Sequence, residues 1–453
     1  MNPQSLADAV HALMPRTRSD LAELVAFESV ADVPALVGEC EAAAAWIAGA
    51  MTAQGFTDVG LLDTPDGTQA VWGELPAAQG APVVLLYAHY DVQPAADRGA
   101  WATDPFRLTE AGGRWYGRGA ADCKGSVLMH LTALRALAAV GGRLPDVHVK
   151  FIVEGSEEQG TGGLERYAEA HPELLSADVV VIADTANVAL DVPTLTTSLR
   201  GMTTVEVHTR TLVANAHSGS FGGAAPDALA ALVRLLDSLY DEDGHTRVAG
   251  LERSQTWDGS PYPVEKFRAD AEVLPSVVLP GTAALADLLW ARPAATVVGI
   301  DCPAVAGATS AVQARARALV SLRVPPGTGA ARAQEALAAH LEAAAPRSAE
   351  VTVERLGVWE AFETGSDGPA HRAMLSSMRD VFATEPARCG QGGSIPVCVT
   401  LAGLYPDAEF LLLGVQDPAS RIHSTDESVD PGLLARMATA EALFLHRLAA
   451  PAT

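Results

Sequence analysis

The chain lacks any run of about 20 apolar residues, the length a membrane-spanning helix needs. Its fattiest stretches, PVVLLYA and VVVIA, are far shorter. Positive charge is also scarce: 31 Lys and Arg stand against 55 Asp and Glu, a formal net charge of −24. That balance excludes the phosphate-seeking binding of nucleic-acid proteins and docking on anionic lipid, and favours cations and small substrates. The five cysteines (Cys40, Cys123, Cys302, Cys389, Cys398) form no CxxC pair. They build neither a disulfide scaffold nor a thiolate zinc knuckle, and a reducing, cytoplasmic setting is expected. The opening MNPQSLADAVHALMPRTRSDLAEL spaces its apolar residues as a helix does, without the basic cap, apolar core and cleavage site of a signal peptide. A serine hydrolase of the elbow type is removed by the absence of GxSxG. What is present, 49% hydrophobic and 19% charged residues over 453 positions, is enough for two or three domains with buried cores.

The apolar patterns alternate in kind. A helix is expected near 36–54, a strand at 82–88, a helix at 124–140, a strand at 147–154, a helix at 161–170 and a strand at 178–184. Continuous apolar strands interleaved with helices predict an α/β fold, a doubly wound and mostly parallel sheet that gathers ligands at its C-terminal strand ends. From 199 the style changes: MTTVEVHTR and ARALVSLRVP alternate like half-buried strands, with helices at 226–239 and 329–345 and further strands at TVVGID and VTVERL. After 357 the buried style returns in AEFLLLG, 408–414, between helices at 368–383 and 431–449. The expectation is a first domain in two parts, 1–198 and 357–453, interrupted by an α+β insertion, 199–356.

VVLLYAHYDVQP delivers His89 and Asp91, two residues apart and so on one face, to the end of a strand. A metal-bound histidine commonly gives its second ring proton to a carboxylate or carbonyl, although His89 alone reads as a strand-end histidine satisfied by an acid. WYGRGAADCKGSV places Asp122 at a helix start, where an ordinary cap is the simple reading; its Lys124-Gly125-Ser126 order does not have Walker spacing. VEGSEEQGTGG ends a strand with adjacent Glu157 and Glu158, which repel unless solvated or neutralised by cations. IADTAN adds Asp184 and SRIHSTDE adds His423. Each is unremarkable alone. Together, four strands bring two histidines and several carboxylates to the side where such a sheet builds its site, an oxygen-rich set suited to hydrolytic zinc or manganese. Two ions sharing one carboxylate account for the number of ligands.

HYDVQP, PFRLTEAGGRWYGRGAADCKG, EGSEEQG, ADT, AHSGSFGG, GGSIP and HSTDE occur in this order. In these motifs the chain resembles the M20 family of dinuclear zinc peptidases, in the dipeptidase branch that includes carnosinase-like and cytosolic nonspecific dipeptidases. The resemblance implies a zinc aminopeptidase-like catalytic domain, with the insertion as lid and homodimer surface. It implies two divalent ions, zinc first and manganese or cobalt as alternatives. His89, Asp122 and Asp184 would hold one ion, and Asp122, Glu158 and His423 the other, with Asp91 orienting His89 and a cis peptide after Asp122. A metal-bound water would lose its proton to Glu157, which then protonates the leaving amine. His217 would steady the oxyanion from the other subunit, Arg323 would grip the substrate's C-terminal carboxylate, and the loop Gly392-Gly393-Ser394 would line its backbone.

Two positions depart from the family pattern. Cys123 stands where relatives often carry aspartate, and Gln391 where dipeptidases commonly carry a glutamate that meets the substrate's free amine. The leading expectation is hydrolysis of dipeptides with a free C-terminal carboxylate. Gln391 keeps open a same-scaffold amidohydrolase of N-acyl amino acids, while a non-catalytic binding module would predict a missing ligand or base, and none is missing.

Overall fold

Val84 to Ala88 are fully buried, because this five-residue run lies at the centre of a sheet covered on both faces. Burial of each large apolar side chain of this kind is worth about 1.5–3 kcal/mol. The computed structural model describes residues 2–449 apart from 143, 145, 282 and 366. The chain divides into two units: Met1–Thr197 with Thr364–Cys389 and Ile395–Thr453, and Ser198–Glu363 with Gly390–Ser394.

In the first unit the strands lie in the order Thr57–Asp63, Gln69–Leu75, His148–Glu154, Val83–His89, Val179–Ala183, Glu409–Leu413, Thr194–Leu199. The four central strands, His148–Glu154 through Glu409–Leu413, run parallel. The flanking pairs are antiparallel, so the expected parallel sheet has a parallel centre with antiparallel margins. Register sets His89 level with Glu154, which aligns the C-terminal ends of the central strands. The helix Lys124–Gly141 is buried continuously from Lys124 to Leu137, since it packs against the sheet as well as the helices Pro3–Ala26 and Pro431–Leu448. A helix sandwiched in this way must be apolar on all sides, as VLMHLTALRALAAV nearly is. Its buried His130 pairs with Glu441 of the helix Pro431–Leu448 at 2.8 Å.

The second unit is built on an antiparallel sheet in the order Ala294–Asp301, Arg315–Val324, Gly201–Arg210, Glu350–Trp359. Gly201–Arg210 alternates buried and half-buried residues along its length. Its buried face, including Val205 and Val207, packs with Val320 and Leu322 against Leu232 and Leu235 of the helix Ala228–Asp237 and Leu337 of Ala330–Ala343. Among the described residues no helix is long and apolar enough to cross a membrane.

Candidate metal centre

The carboxylate of Asp122 stands between two histidines. Its Oδ1 lies 3.2 Å from Nε2 of His89 and its Oδ2 lies 3.2 Å from Nε2 of His423. Asp184 Oδ1 approaches His89 Nε2 at 3.6 Å, and Glu158 Oε2 approaches His423 Nε2 at 3.0 Å. Two groups of donor atoms result, each within 4.8 Å of one another: His89, Asp122, Cys123 and Asp184, and Asp122, Glu158 and His423. Nitrogen and carboxylate oxygen in this ratio fit two hard-to-borderline divalent cations sharing Asp122. Cys123 belongs to the first group by distance alone. Its thiol donates to the carbonyl of Ala183 at 3.0 Å, and burial pushes its pKa far up, so the thiolate a metal would need is disfavoured.

Each donor is positioned by a strand end or a tied loop. His89 closes its strand, and its Nδ1 faces the backbone carbonyl of Asp91 at 3.1 Å, nearer than the Asp91 carboxylate at 3.4 Å. That carboxylate does something the sequence did not reveal. Its Oδ1 accepts the N–H of Glu157 at 3.1 Å and its Oδ2 the N–H of Glu158 at 3.0 Å, fixing the short turn Glu157–Gln159. Gln93 holds the same turn from its far side, donating from Nε2 to Oε2 of Glu158 at 3.0 Å and to its carbonyl at 3.1 Å.

Asp122 follows Gly119, whose φ of +81° only glycine adopts easily, and its peptide bond to Cys123 is cis. Fully buried Glu427 clasps this loop: Oε1 accepts the N–H groups of Ala121 and Asp122, each at 3.0 Å, and Oε2 accepts Gly119 N–H and Arg118 Nη1. Half-exposed His423 sits on a loop in which Arg421, His423 and Asp426 all have positive φ, a conformation that non-glycine residues keep only when neighbours over-determine it. Arg114 supplies that restraint, donating to Asp417, Ser428 Oγ and the Ser428 carbonyl.

The electrostatics are those of a site arranged for positive charge. Burial, then the charge of Asp122, raises the Asp184 carboxyl from 3.8 to about 7. Burial and the charge of Asp184 likewise push Glu157 well above the usual carboxylate range. Burial would also raise Asp122, but hydrogen bonds with His423 and His89 outweigh it and hold that carboxyl low. His423 is raised to about 10 by its bonds to Asp122 and Glu158. A cluster of carboxylates that raises His423 in this way is one that positive charge stabilises.

The remaining expected site residues, His217, Arg323 and Gln391 to Ser394, belong to the second unit. His217 is exposed, with Nδ1 3.3 Å from Ser220 Oγ. Arg323 lies on Arg315–Val324, and the Gln391 carbonyl accepts the N–H of Arg200 at 3.0 Å. Gln93 and Glu427 lie inside the motifs HYDVQP and HSTDE, where a polar residue next to a ligand was the available signal.

Residues 85–447 match the description "Peptidase family M20/M25/M40". The cysteinylglycine-S-conjugate dipeptidase of Corynebacterium striatum is 44% identical over 434 residues, 95% of each chain. The human Beta-Ala-His dipeptidase is 30% identical, over 82% of this chain and 77% of that one. The crystal structure of human carnosine dipeptidase 1 superposes with a TM-score of 0.83 at 27% identity, covering 99% of both chains.

Proposed function

Because the chain belongs to peptidase family M20/M25/M40, we propose that its metal centre hydrolyses the peptide bond of dipeptides bearing a free C-terminal carboxylate. The observation that carries this reading is the two-sided use of Asp122, one oxygen toward His89 and the other toward His423, each at 3.2 Å. One cation would be held by His89, Asp122 and Asp184 and the other by Asp122, Glu158 and His423, and once bound they would polarise a carbonyl and acidify an attacking water. Zinc suits the mixed nitrogen and oxygen donors; manganese and cobalt accept the same set.

Glu157 is the proton carrier. It adjoins the ligand Glu158, belongs to neither donor group, and is held by the Asp91 bond to its N–H. From there it takes a proton from the attacking water and returns it to the leaving amine. Arg323 has the role of carboxylate grip, with Gln391 to Ser394 along the substrate backbone. His217, whose ring is exposed, has the role of oxyanion donor contributed across a homodimer of the inserted unit. The five free cysteines support a cytoplasmic location.

The 44% identical relative makes cysteinylglycine and its S-conjugates the first substrates to test. Gln391 favours the second reading, hydrolysis of N-acyl amino acids, and paired free and N-acetylated dipeptides separate the two. The deciding experiment is Glu157→Gln: turnover should fall by at least about a thousandfold while both metals are retained. Activity like that of the unmodified enzyme would remove Glu157 from the mechanism.

A further inference from the structure

Among the described residues, two arginines of the second unit, Arg200 and Arg323, have no counter-ion. Arg323 pairs across the ladder with Met202, so Arg200, two residues upstream of Met202, is its diagonal neighbour, within reach of a long side chain. Arg200 is anchored by its own backbone, its N–H donating to the Gln391 carbonyl at 3.0 Å. Its guanidinium lies against the loop that follows: a Cβ built on Gly392 would stand 3.0 Å from Arg200 Nη2.

Among the described residues, neither side chain makes an ion pair or hydrogen bond, and Nε of Arg200 is buried with no partner. Burial and the neighbouring Arg323 push Arg200 down to about 10, and burial also lowers Arg323. The chain pairs the guanidinium groups of its buried arginines with carboxylates. Arg118 meets Glu427 at 2.7 Å and Arg135 meets Asp20 at 2.6 Å. Leaving a desolvated charge unpaired is strongly unfavourable unless an anion arrives to pair it. The missing partner is therefore an anion with room for two planar forks, which a carboxylate with its two oxygens provides.

We propose that Arg200 is a second arm of the carboxylate clamp, so that the α-carboxylate of the substrate is received jointly by Arg200 and Arg323 beside Gly392. This rests on the dipeptidase reading for the identity of the carboxylate. Its consequence is specificity: a peptide whose C-terminus is an amide leaves two partly buried guanidinium groups unpaired and is rejected.

The test compares cysteinylglycine with its C-terminal amide in the metal-loaded enzyme, unmodified and as Arg200→Gln and Arg200→Lys. Arg200→Gln should lower the preference for the acid over the amide by at least about tenfold, the scale of one charge-assisted hydrogen bond, mainly through KM, and Arg200→Lys should restore part of it. A merely structural role would depress both substrates alike. An unchanged acid-to-amide ratio in Arg200→Gln overturns the clamp whatever its total activity. Equilibrium titration of both peptides onto Glu157→Gln, with and without Arg200→Gln, separates the two readings. Arg200-dependent preference for the acid in binding, with no hydrolysis by the unmodified enzyme, would sustain the clamp and remove the dipeptidase reading.

Discussion

The backbone N–H of Asp122 donates to Oε1 of Glu427 at 3.0 Å, so the bridging carboxylate is aimed by a glutamate 305 residues away that belongs to neither donor group. Glu427 also receives Gly119, Ala121 and Arg118, which makes it a shared acceptor for three backbone N–H groups and one guanidinium of the turn. Glu427→Gln replaces one acceptor oxygen by a donor that must face an N–H. Metal content should fall, and kcat with it by about 10–100-fold, the usual effect of removing a residue that orients a ligand. Glu427→Ala strands several buried donors and should destabilise by about 3–5 kcal/mol. Metal analysis beside denaturant titration checks both, and a fully loaded, fully active Glu427→Gln enzyme would contradict the assignment.

Asp91 offers a second test, because its two oxygens fasten the N–H groups of Glu157 and Glu158. Asp91→Asn turns one of those acceptors into a donor. The turn should rotate, moving the base and a ligand together, with kcat reduced about 10–100-fold at little change in KM. An effect confined to KM would show that the turn keeps its place without the carboxylate.

How much of this could be read from sequence depends on whether a residue acts on its neighbours in the chain or at a distance. His89 was legible because a fatty strand stops at it, and Asp184 because VVVIA does the same. Asp122 and His423 lie in loops with no periodicity and were legible only as members of a set. The margin strands Thr57–Asp63 and Gln69–Leu75 went unread; the first has no buried residue and carries no continuous apolar run. Glu427 meets Asp122, and Arg200 meets Gln391, through contacts of 305 and 191 residues' separation, which leave no local mark.

Removing the metals should abolish turnover, and added zinc, manganese or cobalt should restore it in proportion to occupancy. The pH dependence of stability in the metal-free protein has a definite sign. Asp184 is raised from 3.8 to about 7, so its contribution to stability is full below about 4 and is lost as pH rises through 7. Cation binding requires the ionised carboxylate, and affinity therefore increases over the same interval. Melting curves of chelated and reloaded protein should diverge between about pH 4 and 7, the chelated form falling. Parallel curves would mean that Asp184 does not carry this linkage.

Two glycines separate folding from substrate contact. A Cβ on Gly125 would lie 2.2 Å from the carbonyl oxygen of Ala120, a backbone atom in the ligand turn that cannot withdraw. Gly125→Ala should therefore cost about 3 kcal/mol and lower metal content, through strain alone. Around Gly393 nothing lies within 4 Å of the position a Cβ would take. Gly393→Ala should leave stability within about 0.5 kcal/mol of the original. If the loop lines the substrate, the added methyl instead meets the bound dipeptide and raises KM several-fold with the metals undisturbed. Should Gly393→Ala melt normally and also keep its KM, the loop does not touch the substrate, and the binding roles given to Gln391, Gly392 and Ser394 would fall with it.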